Sequence, residues 1–487
     1  MNKTSNTLNS SGSAFNRPWP KTYPEKPKPI NKKRAEKLPI PRGPRTKKIG
    51  DNLYDLAKHG LKFLIKIHEN YGDSASFYVN GKLYIALFAP EMVYELYTSK
   101  QNSFIKGYGF QRVRKVLGDG ILTSEGEVHL NDRRMIQPAF HKEKINSYIE
   151  EIYSICKTHV DAWPEEGEIQ LAPEMMSLTL KIVSQTLFGA DSLEYEEELH
   201  RNLDIAVDRA ALTVLPSFSA LDNSGLPWFK DYKKAAENLT NITKKIIEKR
   251  RKENIERNDL LGMLLSTTKA NGEKLTEEEI IDQSLTILIS GHETESVLLT
   301  WAIARIGTQE KIRRQLQQSL CETSWIKEER APSLTELGNN ELLESAIKET
   351  LRVNPPLWLI MRQAIEDVTI CGVFIPKGTQ VVLSPYITHR NSKIFTKPGS
   401  WDPSRWNDNF EKTLPKGSYF PFSYGVRKCI GDQMAMTEAR VILSYILSRY
   451  IVQVDKSGVP KVNPRTTLRA EGPVPSKIKR IATQQKL

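Results

Sequence analysis

The stretch Phe422-Ser423-Tyr424-Gly425-Val426-Arg427-Lys428-Cys429-Ile430-Gly431 sets one cysteine just ahead of an apolar-periodic run. Met434, Ala435, Ala439, Ile442, Leu443 and Ile446 recur at a spacing that predicts a helix. A cysteine at a helix N-terminus faces unpaired backbone N–H groups and the positive end of the macrodipole, and both favour thiolate. Gly425 and Gly431 allow a tight turn and a close backbone approach to a flat ligand. Arg427 offers a charged fork for a carboxylate, and Phe422 an apolar cover. A thiolate in a shielded turn, with an arginine two residues before it, suits axial ligation of a haem iron.

A lone cysteine is most often one more small buried hydrophobe. The whole pattern Phe-x-x-Gly-x-Arg-x-Cys-x-Gly is far rarer. At average residue usage it arises in about one chain of this length in ten thousand, or fewer. The segment resembles the haem-binding loop of the cytochrome P450 haem-thiolate monooxygenases. The resemblance implies haem b (iron protoporphyrin IX) as cofactor and Cys429 as the ligand to its iron, with Phe422, Gly425, Arg427 and Gly431 around it.

A helix is expected from Thr276, where Thr276 and Glu279 form a capping box, to about Ile306. About thirty residues of helix span roughly 45 Å, enough to cross the molecule. Its centre, Ser290-Gly291-His292-Glu293-Thr294, places glycine and polar residues where a core wants apolar ones. A zinc-protease His-Glu-x-x-His fails here, because position 296 is serine. In the P450 family a small residue, Gly, an acid and Thr at this place sit over the haem. By resemblance Ser290 and Gly291 border the pocket, Gly291 lets the helix widen, and Glu293 and Thr294 are the catalytic pair that moves protons.

Glu349-Thr350-Leu351-Arg352 is weak evidence alone, since Glu and Arg at i, i+3 pair on many helices. Followed by Pro403-Ser404-Arg405-Trp406, it resembles the family's Glu–Arg–Arg triad, which implies a structural role for Glu349, Arg352 and Arg405. Ser404 and Trp406 depart from the family's usual glutamate and phenylalanine. His129 and Arg133 resemble a helix motif that binds a haem propionate, with histidine in place of tryptophan, and Arg362 is expected on a propionate as well. Leu357, Trp358 and Ile360, with Phe104, Tyr108 and Phe110, are the expected apolar pocket walls. The pocket is expected between 102–120, 211–229, the central helix, 356–360 and 470–474.

The net charge of +12 suggests nucleic acid at first, but residues 1–50 hold 13 Lys/Arg against Glu25 and Glu36. That segment carries +11, which leaves +1 for the remainder, so no nucleic-acid partner is expected. Residues 1–40 read as a basic, proline-rich arm, disordered, either simply solvated or in weak peripheral contact with anionic membrane. Residues 41–487 read as the haem domain. The arm has no apolar run of the kind a signal peptide or transmembrane anchor needs, so a cytoplasmic, bacterial-type protein is expected. Cys156, Cys321, Cys371 and Cys429 are too scattered for a disulfide framework or zinc site.

Asp51–Tyr71 reads as a helix, Asn80-Gly81 as a hairpin turn, 90–97 as a short helix and 102–122 as irregular. Helices dominate 140–265, with breaks at Leu215-Pro216 and Gly225–Trp228, and Lys249–Lys252 as a solvated face. Short strands are expected at Val368–Ile370 and Gln380–Leu383. The implied fold is mainly α with small β-sheets, the P450 fold, with haem between a long central helix and the cysteine loop. The implied reaction inserts one atom of O2 into a hydrophobic small molecule, by hydroxylation or epoxidation. Its electrons come from a separate ferredoxin or flavodoxin with its NAD(P)H reductase. Fatty acid, terpenoid and polyketide remain open as substrates. A haem-thiolate isomerase, dehydratase or peroxygenase, or a non-catalytic haem sensor, are the other readings; the Glu293–Thr294 pair argues against both.

Overall fold

From Leu53 the chain forms α1 (Leu53–Tyr71), which buries Leu61, Phe63, Leu64 and Ile67 against the first hairpin. That hairpin joins β1 (Ser74–Val79) to β2 (Lys82–Leu87) through Asn80 and Gly81, both at positive φ, as the sequence predicts. In this computed structural model the described residues are 17–46, 50–213, 226–253, 257, 259–269, 272–454 and 458–481. The helix α2 (Pro90–Tyr97) opens with its proline in the first turn. Residues 102–122, expected to be irregular, hold β3 (Phe104–Lys106) and the ten-residue α3 (Tyr108–Leu117). Gly107 and Gly109 at its start weaken the local signal, and burial of Val116 and Leu117 stabilises it instead.

The expected helical region follows as α4 (Gly126–Ile136), α5 (Lys142–Asp161), α6 (Leu171–Phe188), α7 (Glu196–Thr213) and α8 (Pro227–Glu253). The break at Leu215-Pro216 lies outside the described residues. The basic cluster in α8 is not a uniformly solvated face. Arg250 is buried, pairs with Asp259 at 2.8 Å and donates to the Phe188 carbonyl at 2.7 Å.

The central helix is α9 (Glu277–Gly307), capped by Thr276 and Glu279 in the reciprocal box that the sequence predicts. Its first half packs Leu285 and Leu288 into a core with Leu180 and Leu187 of α6. Its second half packs Val297, Trp301 and Ile303 into a separate core. Two further helices, α10 (Glu341–Val353) and α11 (Asp432–Arg449), join that second core. The strands β4 (Ile360–Ala364) and β5 (Gln380–Leu383) complete a five-stranded sheet in the order β1-β2-β5-β4-β3, with only β2 and β5 parallel. Val368–Ile370 pairs with Val373–Ile375, and β6 (Val462–Pro464) with β7 (Leu468–Ala470).

The segment read as a disordered arm is, from Arg17 to Ile40, packed onto this frame. Tyr23 and Ile30 are buried, and Asn31 bridges to Lys82 of β2. Arg17 and Lys32 find acidic partners across the fold, Asp282 and Asp51, which composition alone does not reveal.

Candidate active site

Cys429 lies three residues before α11, and its N–H donates to the Phe422 carbonyl at 2.8 Å, closing the loop on itself. The thiol is deep among protein atoms yet keeps accessible surface. Burial pushes its pKa up, opposed by the Gly431 N–H and by the Arg133 and Lys428 charges. The lowering expected from the helix end is therefore outweighed by desolvation. Gly425, at φ 64°, is required for a different approach from the one expected. A Cβ there would stand 2.2 Å from the Tyr97 carbonyl oxygen, so the loop presses on α2. At Gly431 the nearest atom to an added Cβ is in the Phe140 ring, at 3.7 Å.

Arg427 turns inward. It pairs with Glu125 at 2.5 Å and donates to the Ser124 carbonyl at 3.1 Å. Glu125 is fully buried and also accepts from the Lys106 N–H at 2.6 Å. Lys106 is buried too, and its Nζ donates to the carbonyls of Ser124 (2.6 Å) and Ile121 (3.1 Å). Buried Arg362 donates to the Met361 carbonyl and lies over the Tyr97 ring, with no carboxylate paired to it among the described residues. Burial, reinforced by Lys106 and Arg427, lowers His129 to about 2, so its ring is neutral. A neutral imidazole has one N–H, yet its two nitrogens face the carbonyls of Ile121 and Val426 at 3.2 and 3.4 Å. Arg133 donates to the Lys428 carbonyl at 2.6 Å.

Lys106, Arg362 and Arg427 lie close enough to repel one another, and the one carboxylate paired within the cluster is Glu125 on Arg427, so the cluster is short of negative charge. The other acid nearby, Asp132, is pushed up to about 6 by burial, so near neutral pH it is mostly ionised and offsets part of that shortfall. Burial, then the repulsion of Arg427, holds Lys106 well below its ordinary value. A group carrying two carboxylates supplies what this cluster lacks, and the propionates of iron protoporphyrin IX fit. Lys106 and Glu125 carry no motif, and the sequence reading missed them.

The predicted triad assembles. Arg352 grips Glu349 with two bonds of 2.8 Å, and Arg405 Nε approaches the same carboxylate at 3.4 Å. Trp406, where the family usually has phenylalanine, adds an indole N–H at 2.9 Å.

A cavity of about 960 Å³ lies between α1, α3, α7, α9 and the segments 357–361 and 462–467. Ser290, Glu293, Thr294, Phe110, Leu357 and Trp358 line it as expected; Val113, Ile289, Asp208 and Arg465 join them. Four residues expected on its wall are elsewhere. Phe104 and Ile360 are buried in the sheet core, Tyr108 lies under the Lys82 ammonium, and Gly291 faces α6. A Cβ at Gly291 would stand 3.1 Å from Val183 Cγ2, so this glycine serves close helix packing, and α9 runs through it unbroken. The closing turn is 462–467, upstream of the expected 470–474, and of 211–229 the residues 214–225 are outside those described.

On α9 the Thr294 hydroxyl donates to the Ser290 carbonyl (2.7 Å) and the Ser290 hydroxyl to that of Thr286 (2.6 Å). Both protons are committed to the helix backbone. Glu293 is buried and gripped by Arg469 of β7 through bonds of 2.8 and 2.7 Å, while Thr467 donates at 2.6 Å. Burial opposes its ionisation, but Arg469 and Thr467 prevail and hold its pKa below the usual carboxylate value. The third nitrogen of Arg469 reaches Asp208 of α7 at 3.3 Å.

A prosthetic group that brings two carboxylates and accepts a sulfur ligand answers both the cation cluster and the cysteine, which places the chain among haem-thiolate proteins. Comparison of sequences makes the placement specific: the chain belongs to the cytochrome P450 family, whose pattern it matches over residues 41–479. It is 30% identical over 364 residues to cyclooctat-9-en-7-ol 5-monooxygenase of Streptomyces melanosporofaciens, covering 74% of this chain and 78% of that one. It is 28% identical to pentalenene oxygenase of Streptomyces avermitilis, with 75% and 81% covered. Among solved structures, a retinoic acid-bound cyanobacterial P450 superposes with a TM-score of 0.82 at 22% identity, over 91% of this chain and all of that one. The haem domain of cytochrome P450DA gives 0.82 at 24% identity, over 92% and 99%. The protein binds haem b and is a haem-thiolate monooxygenase that works with O2, an organic substrate and redox partners. None of these similarities favours an isomerase, a peroxygenase or a sensor.

Proposed function

We propose that the protein oxygenates an alkene or alkenol of largely hydrocarbon character, of terpenoid size, and that Cys429 would hold the haem iron. The cavity carries this reading. Its volume lies toward the upper end of small-molecule sites, about 300–1,000 Å³, and Phe110, Val113, Leu357 and Trp358 give it apolar walls. The relatives named for cyclooctat-9-en-7-ol and pentalenene support it, because those names describe an alkenol and an alkene.

In this reading Arg362, Arg427, His129 and Lys106 would hold the propionates, and Arg133 fixes the loop through the Lys428 carbonyl. Phe422, Gly425 and Gly431 shape that loop, while Glu349, Arg352 and Arg405 brace it. Haem, when bound, supplies the oxidising chemistry, by which one oxygen atom enters the substrate and the other leaves as water. Thr294 turns its hydroxyl from the Ser290 carbonyl to donate into the cavity. Glu293 relays protons to it from the Arg469–Asp208 edge.

Electrons arrive from a ferredoxin or flavodoxin with its NAD(P)H reductase. Lys428, exposed and paired with Asp432, is a cation beside the cysteine for an acidic carrier to meet, whereas Arg427 is turned inward to Glu125. The described residues include no helix long and apolar enough to cross a membrane. In this reading the location is cytoplasmic, with weak contact of the basic 1–40 segment with anionic lipid through exposed cations such as Lys28, Lys33 and Lys37.

A spin-state titration of the ferric protein against alkenols, fatty acids and macrolides tests the substrate. A saturable low- to high-spin shift with alkenols is expected; a shift confined to either other class would overturn it. Thr294→Ala should release several-fold more hydrogen peroxide per NADPH consumed, and unchanged coupling would remove the relay.

A further inference from the structure

We propose that Arg17, ahead of the first helix, is a positioning residue for the haem: it fixes the 118–126 turn from which Ser124 and Glu125 hold Arg427. The proposal rests on the reading of Arg427 as a propionate-holding residue.

The Arg17 guanidinium reaches three carboxylates, pairing with Asp282, with Glu278 at 2.6 Å and with Asp119 at 4.0 Å. Arg114 of α3 donates to the carbonyls of Arg17 (3.2 Å) and Pro18 (2.9 Å) while gripping Asp119 at 2.6 and 2.7 Å. Tyr23 donates its hydroxyl to Asp119 at 2.7 Å. Asp119 is therefore shared by the N-terminal segment and α3, and Asp282 by that segment and the turn.

The turn lies directly on the central helix. Asp282 accepts from the Asp119 N–H and Gln283 from the Ile121 N–H, each at 2.8 Å. A Cβ at Gly118 would stand 2.0 Å from Asp282 Oδ1, and one at Gly120 2.1 Å from Thr286 Oγ1. On the opposite side Gly126, at φ 57°, leaves 3.2 Å between an added Cβ and Pro24 Cδ. The turn is thus held between α9 and residues 17–24. Its far end delivers Ser124 and Glu125 to Arg427, and its carbonyls at Ile121 and Ser124 take the Lys106 ammonium.

Charge explains why Arg17 matters here. Asp119, Glu278 and Asp282 face two arginines, Arg17 and Arg114. Without Arg17, Asp282 has only the Asp119 N–H and the repulsion of the Asp119 carboxylate, which drives the turn off the helix. Glu125 then moves, and Arg427 with it.

The test follows transfer of haem from the purified holoprotein to apomyoglobin, with amide hydrogen exchange on the same samples. Arg17→Glu should lose haem about tenfold faster, which corresponds to a one-decade change in the ratio of rates. Exchange at the Asp119 and Ile121 amides should rise, that of α10 should stay as in the wild type, and Arg17→Lys should restore most of both. If Arg17→Glu does not accumulate, Arg17→Gln should show the same pattern with a smaller acceleration. A wild-type transfer rate in the Glu or Gln variant would overturn the proposal. So would an exchange increase spread equally over α10, which marks general loosening. A wild-type chain that takes up no haem would overturn the reading of the site itself, and this proposal with it.

Discussion

Cations outnumber the carboxylate at both Glu349 and Glu125, but the donors of Arg352 at Glu349 are all matched by oxygens of the fold, whereas Arg362 beside the Glu125 cluster is left with one carbonyl. Arg352 spends all five of its N–H groups, two on Glu349 and three on the carbonyls of His389, Pro398 and Ser400. Glu349 also takes the Asp402 N–H at 2.9 Å and the Trp406 indole. Arg362, by contrast, is buried with a single carbonyl and an aromatic face as its described partners. Buried charge is tolerated when it is paired and hydrogen-bonded. A cluster whose donors are matched within the protein therefore serves the fold, and one with a buried arginine so sparsely bonded serves a ligand that brings carboxylates.

The comparison breaks most visibly at Glu349. Glu349→Ala leaves Arg352 buried without its counter-ion and should cost about 3–5 kcal/mol. Denaturant unfolding should show that loss in the haem-free and haem-loaded protein alike. Arg362→Met should behave in the opposite way. It removes an uncompensated cation, so the haem-free protein should be as stable as the wild type or more so. Haem affinity should fall about 10- to 100-fold, a loss of roughly 1.4–2.8 kcal/mol. A haem-free protein destabilised by Arg362→Met would erase the distinction between the two clusters.

How much of this was legible in sequence follows the distance between partners. The capping box at Thr276, the Asn80-Gly81 hairpin and the Glu349/Arg352 pair are each written within four residues, and each is found as read. Cys429 and its loop were legible because the loop's chemistry is consecutive. The cation cluster was not, because Glu125 meets Arg427 across 302 positions and Lys106 sits in no pattern. The same reason hid the packing of residues 17–40: a lysine- and proline-rich string reads as solvated until Asp282 is found 265 positions away. Arg250, read as solvated, is buried on Asp259 nine positions on. Gly291 was placed correctly on α9 but assigned to the wrong neighbour, because periodicity does not say which helix a glycine admits.

A third buried cluster sharpens the rule by violating it in the other direction. Glu438 of α11 and Glu295 of α9 are both buried, like-charged and raised in pKa by burial; for Glu295 the charge of Glu438 adds to the rise. Glu438 rises from 4.5 to about 8. A raised folded-state value means that the folded protein keeps its proton longer. Its contribution to stability is fully present below about 4.5 and is lost as pH climbs through about 8. Glu438→Gln should make that decline shallower and stabilise the protein at pH 8 by on the order of 2 kcal/mol, read from denaturant midpoints across the range. An identical pH profile would mean that water reaches the pair and carries its charge.

The smallest effect belongs to Trp406, and it tests whether the Glu349 centre is complete or merely crowded. Phenylalanine is the family's usual residue there, so Trp406→Phe keeps an aromatic ring beside Tyr419, whose centroid lies 4.6 Å away, and deletes only the indole donor. Glu349 would still hold Arg352, Arg405 and the Asp402 N–H. Its charge stays compensated, and the cost should be about 1 kcal/mol, that of one hydrogen bond, with haem affinity unchanged. A loss near that of Glu349→Ala would show that the carboxylate depends on the indole because Arg405, at 3.4 Å, is too distant to share the load. The triad of this chain would then be a glutamate, one arginine and a tryptophan, with Arg405 a neighbour rather than a member.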